Sequence, residues 1–176
     1  MKDNLDELLP LVDEEGTVIG SATRGECHNG MKPLHPVVHL YVFNSLGELY
    51  LQKRPMWKEI QPGKWDMSVG GHVGFGEAPE AALHREMYEE LGMIDIETMF
   101  VGKHVFESQS ERELVYVYVT LFQETVCPSK DELDDGRFWT MQEIYETMGK
   151  EVLTPNLEEE IDWLAKFQDI VKFTQF

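Results

Sequence analysis

Residues 70–92 read GGHVGFGEAPEAALHREMYEELG, with Glu86, Glu89 and Glu90 close together and Glu77 just before them, after a glycine-rich turn. On a helix, positions three and four apart share a face, so Glu86 neighbours both Glu89 and Glu90. Left alone, such an EMYEE segment is ordinarily a solvated acidic face. A hard divalent cation resolves the repulsion differently, because Mg²⁺ takes carboxylate oxygens, keeps several waters and bridges to phosphate. Arg85 can pair with Glu89 and hold the carboxylates in position. A second group of residues has metal-binding chemistry: His28, His35 and His72, with Glu111 and Glu113 on the approach to a long apolar strand. One histidine is more often structural than a ligand. A Glu-x-Glu pair on a strand, however, points both carboxylates to one face, and imidazoles with carboxylates suit Mn²⁺, Zn²⁺ or Mg²⁺.

These side chains need a scaffold. LVDEEGTVIGSATRGE has two short β-prone runs about Glu15-Gly16 and predicts an opening hairpin. PVVHLYVFNSLGELYLQKR repeats that pattern across an Asn-Ser-Leu-Gly turn, and WDMSVGG reads as one further short strand. From Pro79 the composition changes to strong helix formers, with Pro in the first turn and Gly92 at the expected C-cap. Leu83, Met87 and Leu91 then give this helix an apolar stripe that must pack on a sheet. Strands are expected at IETMFVGKHVFES and, in a central position, at ELVYVYVTLF; FWTMQEIYETM and PNLEEEIDWLAKFQDIV read as two helices. Mixed strands with a few helices predict an α/β or α+β sandwich.

The chain has 176 residues, suited to one domain, with a hairpin extension over about residues 1–35. Thirty-three acidic residues against fifteen basic ones leave a formal charge of −18. That field opposes nucleic-acid polymers and anionic membranes, and a small anion would need a metal or a few placed cations. No apolar run reaches the roughly 18 residues of a membrane span, and the acidic opening MKDNLDELLP is unlike a secretory signal, so a cytoplasmic protein is expected. Cys27 and Cys127 have no CxxC spacing and read as reduced thiols.

Gly71, Glu77, Arg85-Glu86-Met87, Glu89-Glu90 and Gly92-Met93 match every defined position of GX5EX7REUXEEXGU, where U is apolar. The chain therefore resembles the Nudix superfamily. The resemblance implies an α/β/α sandwich with a mixed sheet and hydrolysis of a small-molecule diphosphate with Mg²⁺, or alternatively Mn²⁺. It makes Glu86, Glu89 and Glu90 metal ligands, with Glu89 and Glu90 as candidate general bases, and gives Glu77 and Arg85 a supporting part beside the reaction. Dimers are common in that superfamily.

From about residue 11 to 122 the chain also looks like type 1 isopentenyl-diphosphate isomerase, through CHNGMKPLH, LYLQKR, PGKW and the GGH ending in His72. That likeness implies a second divalent metal, Zn²⁺ or Mn²⁺, held by His28, His35, His72, Glu111 and Glu113, and diphosphate anchoring by Arg54 and Lys58. In the isomerases a cysteine stands directly before the Gly-His pair, and here that place is taken by Gly70. Glycine cannot transfer a proton, so hydrolysis is the first expectation. The alternatives are an isomerase using another acid, and a diphosphate-sensing module without catalysis. Trp57, Trp65 and Phe75 are candidates to line a substrate pocket, or else core.

Overall fold

The computed structural model describes residues 4–58, 60–122, 126 and 133–165. β1 (Leu8–Val12) and β2 (Val18–Thr23) form the expected antiparallel hairpin as a separate two-stranded sheet. Its turn is closed by Asp13, which accepts from the Thr17 amide at 2.8 Å, and by Gly16 at φ 91°. A single helical turn, α1 (Arg24–Cys27), follows; Thr23 and Glu26 cap each other there. This short helix was not foreseen.

β3 (His35–Phe43) is buried along its whole length. β8 (Arg112–Leu121) runs parallel to it, and β7 (Met99–Glu107) lies antiparallel on the far side of β8, so β8 is central as expected. On its other edge β3 meets β4 (Leu49–Lys53) at Phe43 and Leu49, and β4 continues to β9 (Asp135–Trp139). The sheet is mixed.

WDMSVGG does not form one strand. β5 (Trp65–Asp66) pairs with β4, whereas β6 (Val69–His72) pairs with β3. Ser68 marks the change of partner: its hydroxyl donates to the Tyr50 carbonyl at 2.5 Å and accepts from the Val42 amide at 2.8 Å, joining the neighbouring strands where the ladder opens. FWTMQEIYETM is also divided. Phe138 and Trp139 end β9, and the helix α3 (Met141–Thr147) begins only after Thr140, whose capping box with Glu143 sets the boundary.

Alternation along the strands sends side chains to two cores. Val38, Leu40, Val42 and Val69 pack with Leu83, Met87 and Leu91 of α2 (Pro79–Leu91) on one face. Val37, Tyr41, Val115 and Val117 pack with Ile144 of α3 and with Leu157 and Ile161 of α4 (Pro155–Ala165) on the other. This is the α/β/α sandwich. Each large apolar side chain fully buried in it contributes about 1.5–3 kcal/mol relative to exposure. α2 starts on Pro79 and ends at Gly92, whose φ of 66° supplies the left-handed C-cap. Among the described residues no helix is long and apolar enough to cross a membrane. Cys27 is a buried free thiol; Cys127 and the end of the last predicted helix lie outside the described residues.

Candidate functional site

Burying the Leu83/Met87/Leu91 stripe turns Glu86 and Glu90, beside it on the same helix, toward β6. The glycines of β6 make room for them. A Cβ on Gly71 would overlap the Glu86 carboxylate, and the Gly70 amide donates to Glu90 Oε2 at 3.3 Å. Gln52 Nε2 adds a second donor to Glu90 at 3.2 Å. Glu89, with its side chain 52% exposed, reaches out from the same helix.

Arg85 is bound more firmly elsewhere than its spacing suggested. Its Nε and Nη2 donate to the two Glu77 oxygens at 3.0 and 2.9 Å, Nη1 donates to Glu86 at 2.5 Å, and Nη2 also reaches the His72 carbonyl at 3.0 Å. Glu89 is the looser partner, at 3.6 Å. Glu77 in turn accepts from the Gly74 amide at 2.9 Å, so this pair ties the loop, β6 and α2 together. The Arg85 bond holds the Glu77 carboxyl below its ordinary range. Burial, with smaller repulsion from Glu89, pushes Glu86 up to about 7 despite Arg85. Burial and then the Glu86 charge push Glu90 to about 8. These carboxylates repel each other without a cation, and their oxygens are the donors a hard divalent ion takes.

The second set also converges. His28, His35 and His72 bring ligand nitrogens within 4.8 Å of one another. His35 Nδ1 lies 3.0 Å from the Pro33 carbonyl, which can only accept, so that nitrogen carries the proton and Nε2 presents its lone pair. This Nε2 is buried with no hydrogen-bond partner among the described residues, 4.0 Å from Glu113 Oε1. His28 Nδ1 lies 2.7 Å from Glu111 Oε2 but is not aligned for a hydrogen bond, and His28 Nε2 is 3.0 Å from His72 Nε2. Burial lowers His35 to about 4 and holds His72 well below the ordinary imidazole range, in both cases with neighbouring imidazoles adding. Neutral imidazoles crowded by lone pairs beside two carboxylates fit a borderline divalent cation.

Both sets line one cavity of about 410 Å³, to which Glu86, Glu89, Glu90, His28, His72 and Glu113 all contribute. Arg54 and Lys58 line it too. Arg54, however, is committed within the fold: Nη1 donates to Asp66 at 2.8 Å and Nε to the Ile60 carbonyl at 3.1 Å. Lys58 Nζ sits 4.9 Å from the Trp57 ring. Of the aromatic candidates, Trp65 packs edge-on to Trp139 in the core, while Trp57 and Phe75 are exposed and line no part of the cavity.

Sequence spacing did not single out Gln52, His39 or Glu160. His39 lies on the same face of β3 as His35, a period-2 relation readable in HPVVHLYVF. Its partner Glu160 is 121 residues away, with Nδ1 to Oε1 at 2.7 Å. No local pattern announces that pair.

The chain is similar to several known proteins. Isopentenyl-diphosphate Delta-isomerase of Streptomyces avermitilis is 34% identical over 150 residues, covering 82% of this chain and 76% of that protein. An uncharacterised Nudix hydrolase of Pseudomonas aeruginosa is 32% identical over 133 residues, covering 75% and 78% respectively. The crystal structure of DR0079 from Deinococcus radiodurans superposes with a TM-score of 0.77 at 25% identity, covering 89% of this chain and 98% of that one. The NUDIX domain family model matches residues 33–164, the stretch that carries the carboxylate helix, its supporting arginine and the sheet behind them. The chain therefore belongs to the Nudix family, in the branch similar to the isopentenyl-diphosphate isomerases.

Proposed function

We propose that the protein is a Mg²⁺-dependent hydrolase that cleaves a diphosphate bond in a small nucleoside-diphosphate-type or related metabolite. The observation that carries this reading is the complete set of Glu86, Glu89 and Glu90, opening onto a cavity where Gly70 supplies no acid. A divalent cation bound there supplies charge neutralisation for the diphosphate and lowers the pKa of an attacking water. Arg85 and Glu77 hold the carboxylates in place. Glu89 or Glu90 accepts the proton of the water; burial of Glu90 and then the Glu86 charge raise its affinity for a proton above that of an ordinary carboxylate. Lys58 offers the mobile cation for phosphate oxygens; Arg54 does so only through the part of its guanidinium that Asp66 leaves open. The reading takes residues 1–176 as one domain in the cytoplasm, with a small-molecule substrate and Mn²⁺ as a substitute for Mg²⁺.

A screen of nucleoside diphosphate sugars, nucleoside triphosphates, dinucleoside polyphosphates and prenyl diphosphates, followed by phosphate or nucleotide release, tests it. Turnover is expected with Mg²⁺ and not in EDTA. Equal rates under both conditions would end this reading.

A second reading, double-bond isomerisation, is favoured by the similarity to the isomerases and by the gathered histidine and glutamate set. Isomerisation needs an acid and a base flanking an apolar substrate. Glu113 stands in the isomerase-like place for one, and Gly70 removes the other. The wild-type protein is accordingly expected to incorporate no deuterium from heavy water into dimethylallyl diphosphate. Robust incorporation would show that isomerisation, not hydrolysis, is the reaction.

A further inference from the structure

The floor of the cavity holds a buried pair that neither ligand set uses. His39 is 5% exposed and lines the cavity, and its Nδ1 faces Glu160 of α4. The Tyr41 hydroxyl donates to the other Glu160 oxygen at 2.5 Å, and His104 Nε2 lies 3.1 Å from the oxygen that His39 uses. An ionised carboxylate can only accept, so His39 Nδ1 carries a proton. This fixes the ring. Its Nε2 has no hydrogen-bond partner among the described residues.

Gly70 governs access to that nitrogen. The two residues are register partners on β6 and β3, and a Cβ on Gly70 would meet the flexible Met67 side chain, Sδ at 3.1 Å, and His39 Cδ2, the ring neighbour of Nε2, at 3.6 Å. Glycine adds no side chain of its own over this edge. The Gly70 amide touches Glu90 of the carboxylate helix, while β3 carries His35 of the histidine set on the same face as His39. The imidazole edge therefore lines the same cavity as both ligand sets, within reach of a molecule that bridges them.

We propose that His39 Nε2–H is a substrate-contacting hydrogen-bond donor, oriented by Glu160 and uncovered by Gly70, that binds an oxygen of a diphosphate spanning the two ligand sets. The identity of the ligand as a diphosphate rests on the function proposed above. Burial opposes a charge on His39, but the Glu160 charge and hydrogen bond outweigh it and raise the imidazole to about 9. Glu160, also opposed by burial, is held down at about 2 by His39, His104 and Tyr41. Geometry points the same way: the fully buried Glu160 carboxylate, 2.7 Å from His39 Nδ1, needs a cationic partner, and only the cationic ring carries protons on both Nδ1 and Nε2; a charge-assisted hydrogen bond is roughly twice as strong as a neutral one. In a cavity crowded with carboxylates, this cation on the floor offers a diphosphate oxygen both direction and charge.

A purely structural pair would only pin β3 to α4, and His39→Asn separates the two roles. Asparagine keeps an N–H for Glu160 but is too short to present a second donor to the cavity. With magnesium pyrophosphate as the probe in titration calorimetry, His39→Asn is expected to keep a near-wild-type melting temperature and to weaken binding on the order of tenfold or more. In wild-type protein labelled with ¹⁵N-histidine, the His39 Nε2 signal is expected to move on saturation with the same probe. If His39→Asn does not fold, Gly70→Val covers the ring edge while leaving the His39–Glu160 pair in place, and it is expected to weaken binding similarly. An unchanged Kd in the folded variant, an unmoved His39 signal, or no binding by wild type overturns the proposal. Turnover of a larger diphosphate would still leave the hydrolase reading standing after such a failure. Probe binding through His39 without turnover of any diphosphate would sink that reading and leave this one.

Discussion

Glu90→Gln is expected to lower Mg²⁺-dependent diphosphate hydrolysis on the order of 10³-fold, the loss anticipated when a group stabilising the transition state is removed from a water-poor site. The substitution removes one charge and almost no volume. A glutamine oxygen can still accept from the Gly70 amide or Gln52, so the local hydrogen bonding survives in part. Glu90 is also pushed up to about 8, first by burial and then by the Glu86 charge, so the metal-free wild type bears a cost that glutamine relieves. The sign follows from linkage: a carboxyl raised on folding opposes stability at neutral pH, and that penalty shrinks as pH falls from the folded value toward the ordinary carboxylate value, below which it is gone. The melting temperature of Glu90→Gln in EDTA should therefore be no lower than that of wild type at neutral pH. Glu89→Gln provides the exposed control, because its side chain is 52% exposed and contributes little to packing. Full turnover in both variants would remove these carboxylates from the chemistry.

The second large effect concerns the histidine set. Protein purified without chelator should carry a transition metal, Zn²⁺ or Mn²⁺ rather than Mg²⁺, and His35→Ala/His72→Ala should lose it entirely. Three imidazoles with Glu111 and Glu113 are softer donors than the helix carboxylates. The buried His35 Nε2, its lone pair free of any hydrogen bond among the described residues, is the strongest sign that these side chains do more than pack against each other. Elemental analysis checks the outcome, and a chelator-induced fall in melting temperature that is present in wild type and absent in the double variant supports it, since a ligand that binds only the folded state stabilises it. Identical metal content in the two proteins would show that the cluster is held together by packing and hydrogen bonds alone.

The carboxylate helix was legible because its signals are short-range. Pro79, the Leu83/Met87/Leu91 stripe, Glu86/Glu89/Glu90 and Gly92 all lie within a few turns, and helical periodicity alone puts them in place. The hairpins and central β8 were readable from alternation for the same reason. The division of WDMSVGG was not, because it depends on which strand each half pairs with, and Ser68 declares itself only when β3 and β4 stand on either side. The commitment of Arg85 to Glu77 and Glu86, and of Arg54 to Asp66, likewise depends on loops folding back on the sheet. By itself, the sequence determined the carboxylates, the histidines and glutamates, and the glycine at position 70. Only the tertiary structure decided that the helix carboxylates and the histidine cluster share one cavity, and that Glu160, far along the chain, bonds His39 opposite Gly70. Periodicity sets which face a side chain leaves from, but the neighbour across that face is chosen by the topology of the whole chain.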